Sequence, residues 1–258
     1  MSSDPKVLEQ EAYAFLAQEK LAEAFNAFRK AANLHRSGGN HKQASLCFAA
    51  AASCWSIKSG EKAFYNSASS YEEAAKEAEV AKDFEYASLL YKYAAINYER
   101  DMESFNFSNC FYRSRECYRK FLTRQLISPK KIQQITKTNE KRGARSFIRH
   151  VFSWLILSFS YLIWGHGERP VRAFFSWLFV VFSSAFFYRL GYLFKNGSVY
   201  KPNFLDALYF SIITFTTVGY GDISPTGFSK VVVTIELLCG LLFVPLFLIG
   251  LSRKYLRV

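Results

Sequence analysis

The residues that most restrict what this chain can become lie between Phe204 and Pro225, in FLDALYFSIITFTTVGYGDISP. Phe204 to Phe215 is an apolar run of 12 residues. At ~1.5 Å per residue such a helix cannot cross a hydrocarbon core of about 30 Å. Apolar segments of spanning length flank it, at Arg172–Phe194 and from about Val231 to Leu251. Non-helical backbone at membrane depth is tolerated only where it is buried in protein or lines a cavity. The pattern therefore predicts a re-entrant helix between two spans, returning as a segment in which Gly219 and Gly221 alternate with larger residues. Asp206 suits the start of that helix, where a carboxylate accepts free backbone N–H groups. The partially negative C-terminal end then points toward the membrane centre and favours a cation.

The residues after that helix, Thr216-Thr217-Val218-Gly219-Tyr220-Gly221-Asp222, resemble the selectivity-filter signature of potassium channels. The resemblance implies that the carbonyls of Thr217, Val218, Gly219 and Tyr220, with the Thr217 hydroxyl, replace the hydration shell of K⁺. Aiming successive carbonyls to one side needs a backbone of alternating handedness, and glycine accepts positive φ at little cost. Gly219 and Gly221 stand where a side chain would be expensive. Thr216 and Asp222 flank these five residues as support. Tyr209, Phe210 and Phe215 are expected to form an apolar wall near Tyr220. Many members of that family carry a carboxylate or a tryptophan pair on the pore helix, where this chain has Ile213 and Tyr209–Phe210. One chain supplies one pore loop, so a ring of carbonyls takes four copies, and the expected assembly is a homotetramer.

Glu236 is an intramembrane acid, expected behind the filter and hydrogen-bonded to the pore helix rather than lining the ion path. Gly240 is a candidate hinge and Pro245 a candidate kink, since both relax the helical hydrogen-bond ladder. Their plainer readings are close helix packing and a static bend. Arg189, near the far end of the first span, can snorkel to the interface. Basic residues flank both spans on one side, at 169–172 and 253–257, which predicts cytoplasmic N- and C-termini. Phe147 to Trp164 is apolar over 18 residues, with Ser146, Arg149, His150, Ser153 and Ser160 along one stripe. It is expected to lie in the interface as an amphipathic helix, because crossing would put most of the basic belt outside. GHGERPVR at 165–172, taken with TTVGYGD and Glu236…Gly240, resembles small bacterial two-span ion-channel domains joined to soluble repeat modules. That resemblance implies a multi-pass protein of a bacterial inner or plasma membrane.

The N-terminal part is of another kind. Residues 1–118 have a net charge of −2, residues 119–172 of +10 and residues 173–258 of +4. From Leu8 to Leu122 there is no proline, and glycine occurs only at Gly38, Gly39 and Gly60. Ala24, Phe28, Ala31, Ala32 and His35 are echoed by Ala44, Phe48, Ala51, Ala52 and Trp55, twenty residues on. Phe64, Ala68 and Tyr71 follow, then Ala87, Tyr91, Ala94, Ala95 and Tyr98, and a less regular unit from Phe111 to Cys117. A helix every twenty residues is a helix pair every forty, in the range of α-solenoids; a plain antiparallel bundle is the other reading. EAFNAFRKAANLHRSGGNHKQASLCFAAAASCW resembles the tetratricopeptide-like array of the soluble NSF attachment proteins, which implies a curved layer of helices used for protein contacts.

The expected fold is all-α: a cytoplasmic helical-repeat domain over 1–122, a basic linker over 123–146, an interfacial helix and turn over 147–170, and a two-span pore domain over 171–258. The linker belt, which abuts apolar segments, points to anionic lipid rather than nucleic acid. Five cysteines without CxxC spacing point to buried free thiols rather than disulfides or a zinc site. His150 and His166 lack partners at ligand spacing and are expected to be interfacial. No nucleophile–base pair, metal cluster or phosphate loop appears in the sequence pattern, so an enzyme is not expected, nor any cofactor besides permeant K⁺. The reading that follows is a potassium-selective channel whose repeat domain binds a protein partner or biases the gate. The alternatives are a membrane-anchored adaptor acting through its repeats, and a non-selective cation channel.

Overall fold

The computed structural model describes residues 4–57, 62–128 and 140–255. Gly60, Pro129, Lys130, Lys131, Lys137 and Arg257 lie outside the described residues, as do the side chains of Lys141, Arg142, Arg145, Ser146, Arg253 and Lys254. The chain divides into two units, residues 1–159 and 160–257.

Six helices open the first unit: α1 (Pro5–Ala17), α2 (Leu21–Ser37), α3 (His41–Ile57), α4 (Ala63–Val80), α5 (Phe84–Arg100) and α6 (Ser104–Ile127). Their main interfaces join consecutive helices, α1 to α2 through α5 to α6. That is the nearest-neighbour packing of a solenoid, whereas a closed bundle would also pack its first helices on its last. The interfaces are built of alanine and aromatic rings: Ala31, Ala32, Phe48, Ala68, Ala94, Ala95 and Tyr91 are all buried in one cluster. Small residues let the helix backbones approach, and rings fill the remaining space. Phe64, expected in this pattern, is instead 40% exposed, and Ala63 takes the inward position.

The turns repeat more faithfully than the helices. Lys20, Asn40, Asp83 and Glu103 each donate a backbone N–H to the carbonyl five residues earlier, at 2.9, 2.8, 2.9 and 2.9 Å. Each also accepts from the N–H four residues later, opening the next helix. The residue just before each donor, Glu19, Gly39, Lys82 or Met102, has φ between 59° and 76°. These are Schellman-type closures with a left-handed residue at the corner. Only one of the four uses glycine.

Arg36 of α2 reaches two helices along, donating to Glu73 at 2.5 Å and Glu77 at 2.6 Å on α4. Burial would raise the Glu73 carboxyl, but hydrogen bonds from Arg36 and Lys76 outweigh it and hold the group below its ordinary value of 4.5. A depressed folded pKa makes this contribution full above about pH 4.5 and lost as pH falls through the folded value. Glu73→Gln is expected to remove that part of the acid sensitivity, checked by thermal melts of the full chain between roughly pH 6 and 3.

The helix α7 (Glu140–Trp164) runs across the boundary between the units. Its apolar part with the turn that follows, Phe147–Gly167, is long and apolar enough to cross a membrane, as are Pro170–Leu190 and Ser229–Ser252. A single 3₁₀ turn, Gly165–Gly167, closes α7, and His166 is buried there, with Nδ1 3.2 Å from the Ser160 hydroxyl. It is thus a packed turn residue. The second unit continues with α8 (Pro170–Leu190), β1 (Leu193–Lys195), β2 (Ser198–Tyr200), α9 (Phe204–Phe215), β3 (Ile223–Pro225) and α10 (Ser229–Tyr255).

The stretch after α8 is a hairpin. Asn196 and Gly197 have φ of 51° and 79° and join β1 to β2. Both residues are left-handed, as a two-residue hairpin turn of type I′ requires. β3 pairs on the other edge of β1, giving the order β2-β1-β3, all antiparallel. This small sheet is the one departure from an all-helical architecture among the described residues.

Candidate functional site

The site is built on α9. Its N-cap is Asn203, whose side chain accepts from the Asp206 N–H at 2.7 Å. Asp206 itself occupies the first turn, 3.7 Å from the Lys195 ammonium, so the capping role expected of it belongs to Asn203. At the other end the backbone folds back over the helix terminus. The Ile213 carbonyl accepts from the N–H of Val218 at 2.9 Å and of Gly219 at 3.2 Å, and the Thr216 N–H bonds the Ile212 carbonyl at 3.0 Å.

From there the backbone alternates in hand. Thr217, Gly219 and Gly221 have φ of 59°, 53° and 80°, while Val218 and Tyr220 stay outside the left-handed region. A backbone of alternating hand is what a row of carbonyls aimed to one side would require. The sequence pattern flagged both glycines but not Thr217. A β-branched residue at positive φ is strained by roughly 1–3 kcal/mol and persists only where its surroundings hold it. Its hydroxyl donates to the Thr216 carbonyl at 2.7 Å, leaving the oxygen lone pairs available to a cation. Residues 216–222 are exposed in the single chain, Val218 by 52% and Tyr220 by 72%. β3 begins directly after Asp222, so the far end of this segment is stitched to the hairpin.

Behind α9, Glu236 of α10 is fully buried. It accepts from the Tyr188 hydroxyl of α8 at 2.5 Å and from the Ser211 hydroxyl of α9, with Ser184 of α8 nearby. Ser211 lies 2.9 Å from the Val181 carbonyl as well, so its single proton is shared between two acceptors. One carboxylate therefore joins α8 and α10 to the short helix. Tyr188, Ser184 and Ser211 carry no sequence signal of their own. Only the helical register of three separate segments brings them to Glu236.

The expected aromatic wall is divided. Tyr209 is part-exposed, and its hydroxyl interacts with Asp222 at the end of the alternating segment. Phe210 points the other way, edge-on to Tyr188 with ring centroids 4.9 Å apart. Phe215 is fully buried, stacked on Trp177 at 5.8 Å and near Phe243 at 6.5 Å. Within the chain, Phe210 packs α9 on α8, and Phe215 packs it on α8 and α10. A helix of 100° per residue cannot aim positions 209, 210 and 215 at one neighbour.

Gly240 has a packing reason to be glycine. A Cβ there would fall 2.2 Å from the Phe215 carbonyl oxygen and 3.1 Å from its carbon. The α10 backbone thus presses on the last residue of α9. Pro245 lies inside α10, where it removes one backbone donor from the helix.

A short capped helix between two apolar helices, ending in a backbone of alternating hand, has the form of a membrane pore module. Residues 175–256, about a third of the chain and spanning α8 to α10, match the protein-family model described as ion channel. A stretch of 34 residues is 59% identical to two-pore potassium channel 4 of Arabidopsis thaliana. That match covers 13% of this chain and 12% of the plant protein, so the relative is spanned over only a small fraction of its length. No solved structure matches the chain. The C-terminal unit is therefore similar to an ion-channel family over residues 175–256, and that match does not reach α1–α6.

Proposed function

We propose that the chain is one subunit of a homotetrameric, potassium-selective channel. The observation that carries this reading is the alternation of backbone hand at Thr217, Gly219 and Gly221, at the end of a helix too short to cross. An ion leaves water only when other oxygens replace its hydration shell. The carbonyls of Thr217, Val218, Gly219 and Tyr220 are the oxygens proposed to do so, with the C-terminal dipole of α9 favouring positive charge below them. One chain forms one side of such a pathway, and the exposure of Val218 and Tyr220 supports closure by neighbouring copies. Tyr209, Asp222 and Glu236 act as supports. The potassium assignment also draws on the similarity to the plant channel.

In this reading α8 and α10 span the membrane and α7 lies along the cytoplasmic interface, its basic N-terminal end against anionic lipid. Crossing by α7 would carry the helical stack and its basic linker to the other side, against the positive-inside bias. The stack α1–α6 is then cytoplasmic and biases the gate through a bound protein or a neighbouring subunit.

The test is ion flux from purified full-length protein in liposomes, with K⁺ and Na⁺ gradients compared. Flux of K⁺ well above Na⁺, reduced at least tenfold by Gly219→Asp, is the expected result. Equal K⁺ and Na⁺ flux would overturn selectivity. Absence of flux both in the full chain and after removal of residues 1–118 would overturn the channel reading.

A further inference from the structure

Three residues far apart in sequence meet in the helical stack. Glu9 of α1, His35 of α2 and Cys47 of α3 offer one ligand atom each, and these atoms all lie within 4.8 Å of one another. His35 Nε2 is 2.6 Å from Glu9 Oε1, and the Cys47 thiol faces the same carboxylate. His35 and Cys47 are buried, and the Glu9 side chain is 18% exposed, which leaves an approach from solvent. Gln43 Nε2 sits 3.3 Å from Glu9 Oε2 at the rim.

We propose that Glu9, His35 and Cys47 bind a divalent transition-metal ion, Zn²⁺ being the best fit to the donor set. One thiolate, one imidazole and one carboxylate are the ligand types zinc takes, and a fourth tetrahedral position is left for water. Bonds of ~2.0 Å to nitrogen or oxygen and ~2.3 Å to sulfur separate ligand atoms by about 3.3–3.6 Å in a tetrahedron. The His35–Glu9 contact has to open by somewhat under 1 Å to admit the ion, a change within side-chain rotation. Cys47 gives up its proton on binding. A hydrogen-bonded histidine–glutamate pair explains two of the three residues, but not a thiol on the same carboxylate.

The site holds three helices at the N-terminal end of the stack, so occupancy is expected to stiffen that end. His35 Nδ1 is buried without a hydrogen-bond partner. Zinc histidines normally donate that second nitrogen to an acceptor, and loss of such a bond typically weakens binding by about 10–100-fold. Micromolar affinity is therefore expected, rather than that of a closed four-ligand site. The proposal is independent of ion conduction.

Full-length protein in detergent, titrated with Co²⁺ and then Zn²⁺, provides the test. One Co²⁺ per chain is expected, with a near-ultraviolet thiolate charge-transfer band that Zn²⁺ displaces. Cys47→Ser should abolish the band, and Glu9→Gln and His35→Gln should each weaken binding at least tenfold with helicity by circular dichroism unchanged. Absence of the band, its survival in Cys47→Ser, or unaltered affinity in folded Glu9→Gln and His35→Gln would each overturn the proposal. Should Cys47→Ser fail to fold, the other two variants still decide, because both keep the thiol.

Discussion

Gly240→Ala is expected to abolish K⁺-selective flux and to weaken subunit assembly together. The added Cβ would stand 2.2 Å from the Phe215 carbonyl oxygen, where ordinary contact begins near 3.4 Å. Backbone cannot rotate out of the way as a side-chain end does, so α9 and α10 must separate by about 1 Å. Overpacking of this kind costs roughly 1–3 kcal/mol, and here the strain falls on the residue directly before Thr216 and Thr217. Selectivity is therefore expected to suffer as well as stability. The hinge reading of Gly240 makes a different forecast: fewer openings, with K⁺/Na⁺ discrimination and assembly intact. Reversal potentials and tetramer survival on a native gel, measured on the same variant, separate the two.

Glu236→Ala should produce a loss of similar size by the opposite route, a hole in place of a clash. Removal of the carboxylate strands the Tyr188 hydroxyl in an apolar setting and leaves Ser211 bonded only to the Val181 carbonyl. Each unsatisfied buried polar group costs about 1–3 kcal/mol, and three elements lose their common tie. At least tenfold less flux and a lower thermal midpoint are expected. Glu236→Gln keeps the shape and one acceptor oxygen, and the Tyr188 hydroxyl can turn to accept from the new amide. It should therefore retain much more activity than alanine. Tyr188→Phe, which removes a single donor, should fall between wild type and Glu236→Ala. Equal behaviour of alanine and wild type would show that the carboxylate is not a support of the pore.

The residues that carry chemistry were legible for definite reasons. The helix Phe204–Phe215 announced itself by being apolar yet too short, and Gly219 and Gly221 by alternation. Glu236 stood out because an acid inside an apolar span is expensive unless partnered. What these residues touch was less open to view. The packing of Phe210 on α8, and of Phe215 on α8 and α10, has no mark along the chain. Asn196-Gly197 is a strong hairpin signal, but the strands on either side have only three residues each, too few to show alternation. Glycine marked one of four repeated turns in the stack, because Glu19, Lys82 and Met102 adopt the same left-handed corner without it.

Local sequence alone determined the long apolar helices α8 and α10, the short apolar helix between them, the glycine alternation after it and the twenty-residue pitch of the N-terminal helices. These follow from length, polarity and backbone freedom, which act over a few residues at a time. Tertiary structure decided the meeting of Glu236 with Tyr188, Ser184 and Ser211, the contact that holds Gly240 to glycine, and the convergence of Glu9, His35 and Cys47. Each depends on the rotation of one helix against another, and that rotation is set by the packing of whole faces rather than by any motif along the chain.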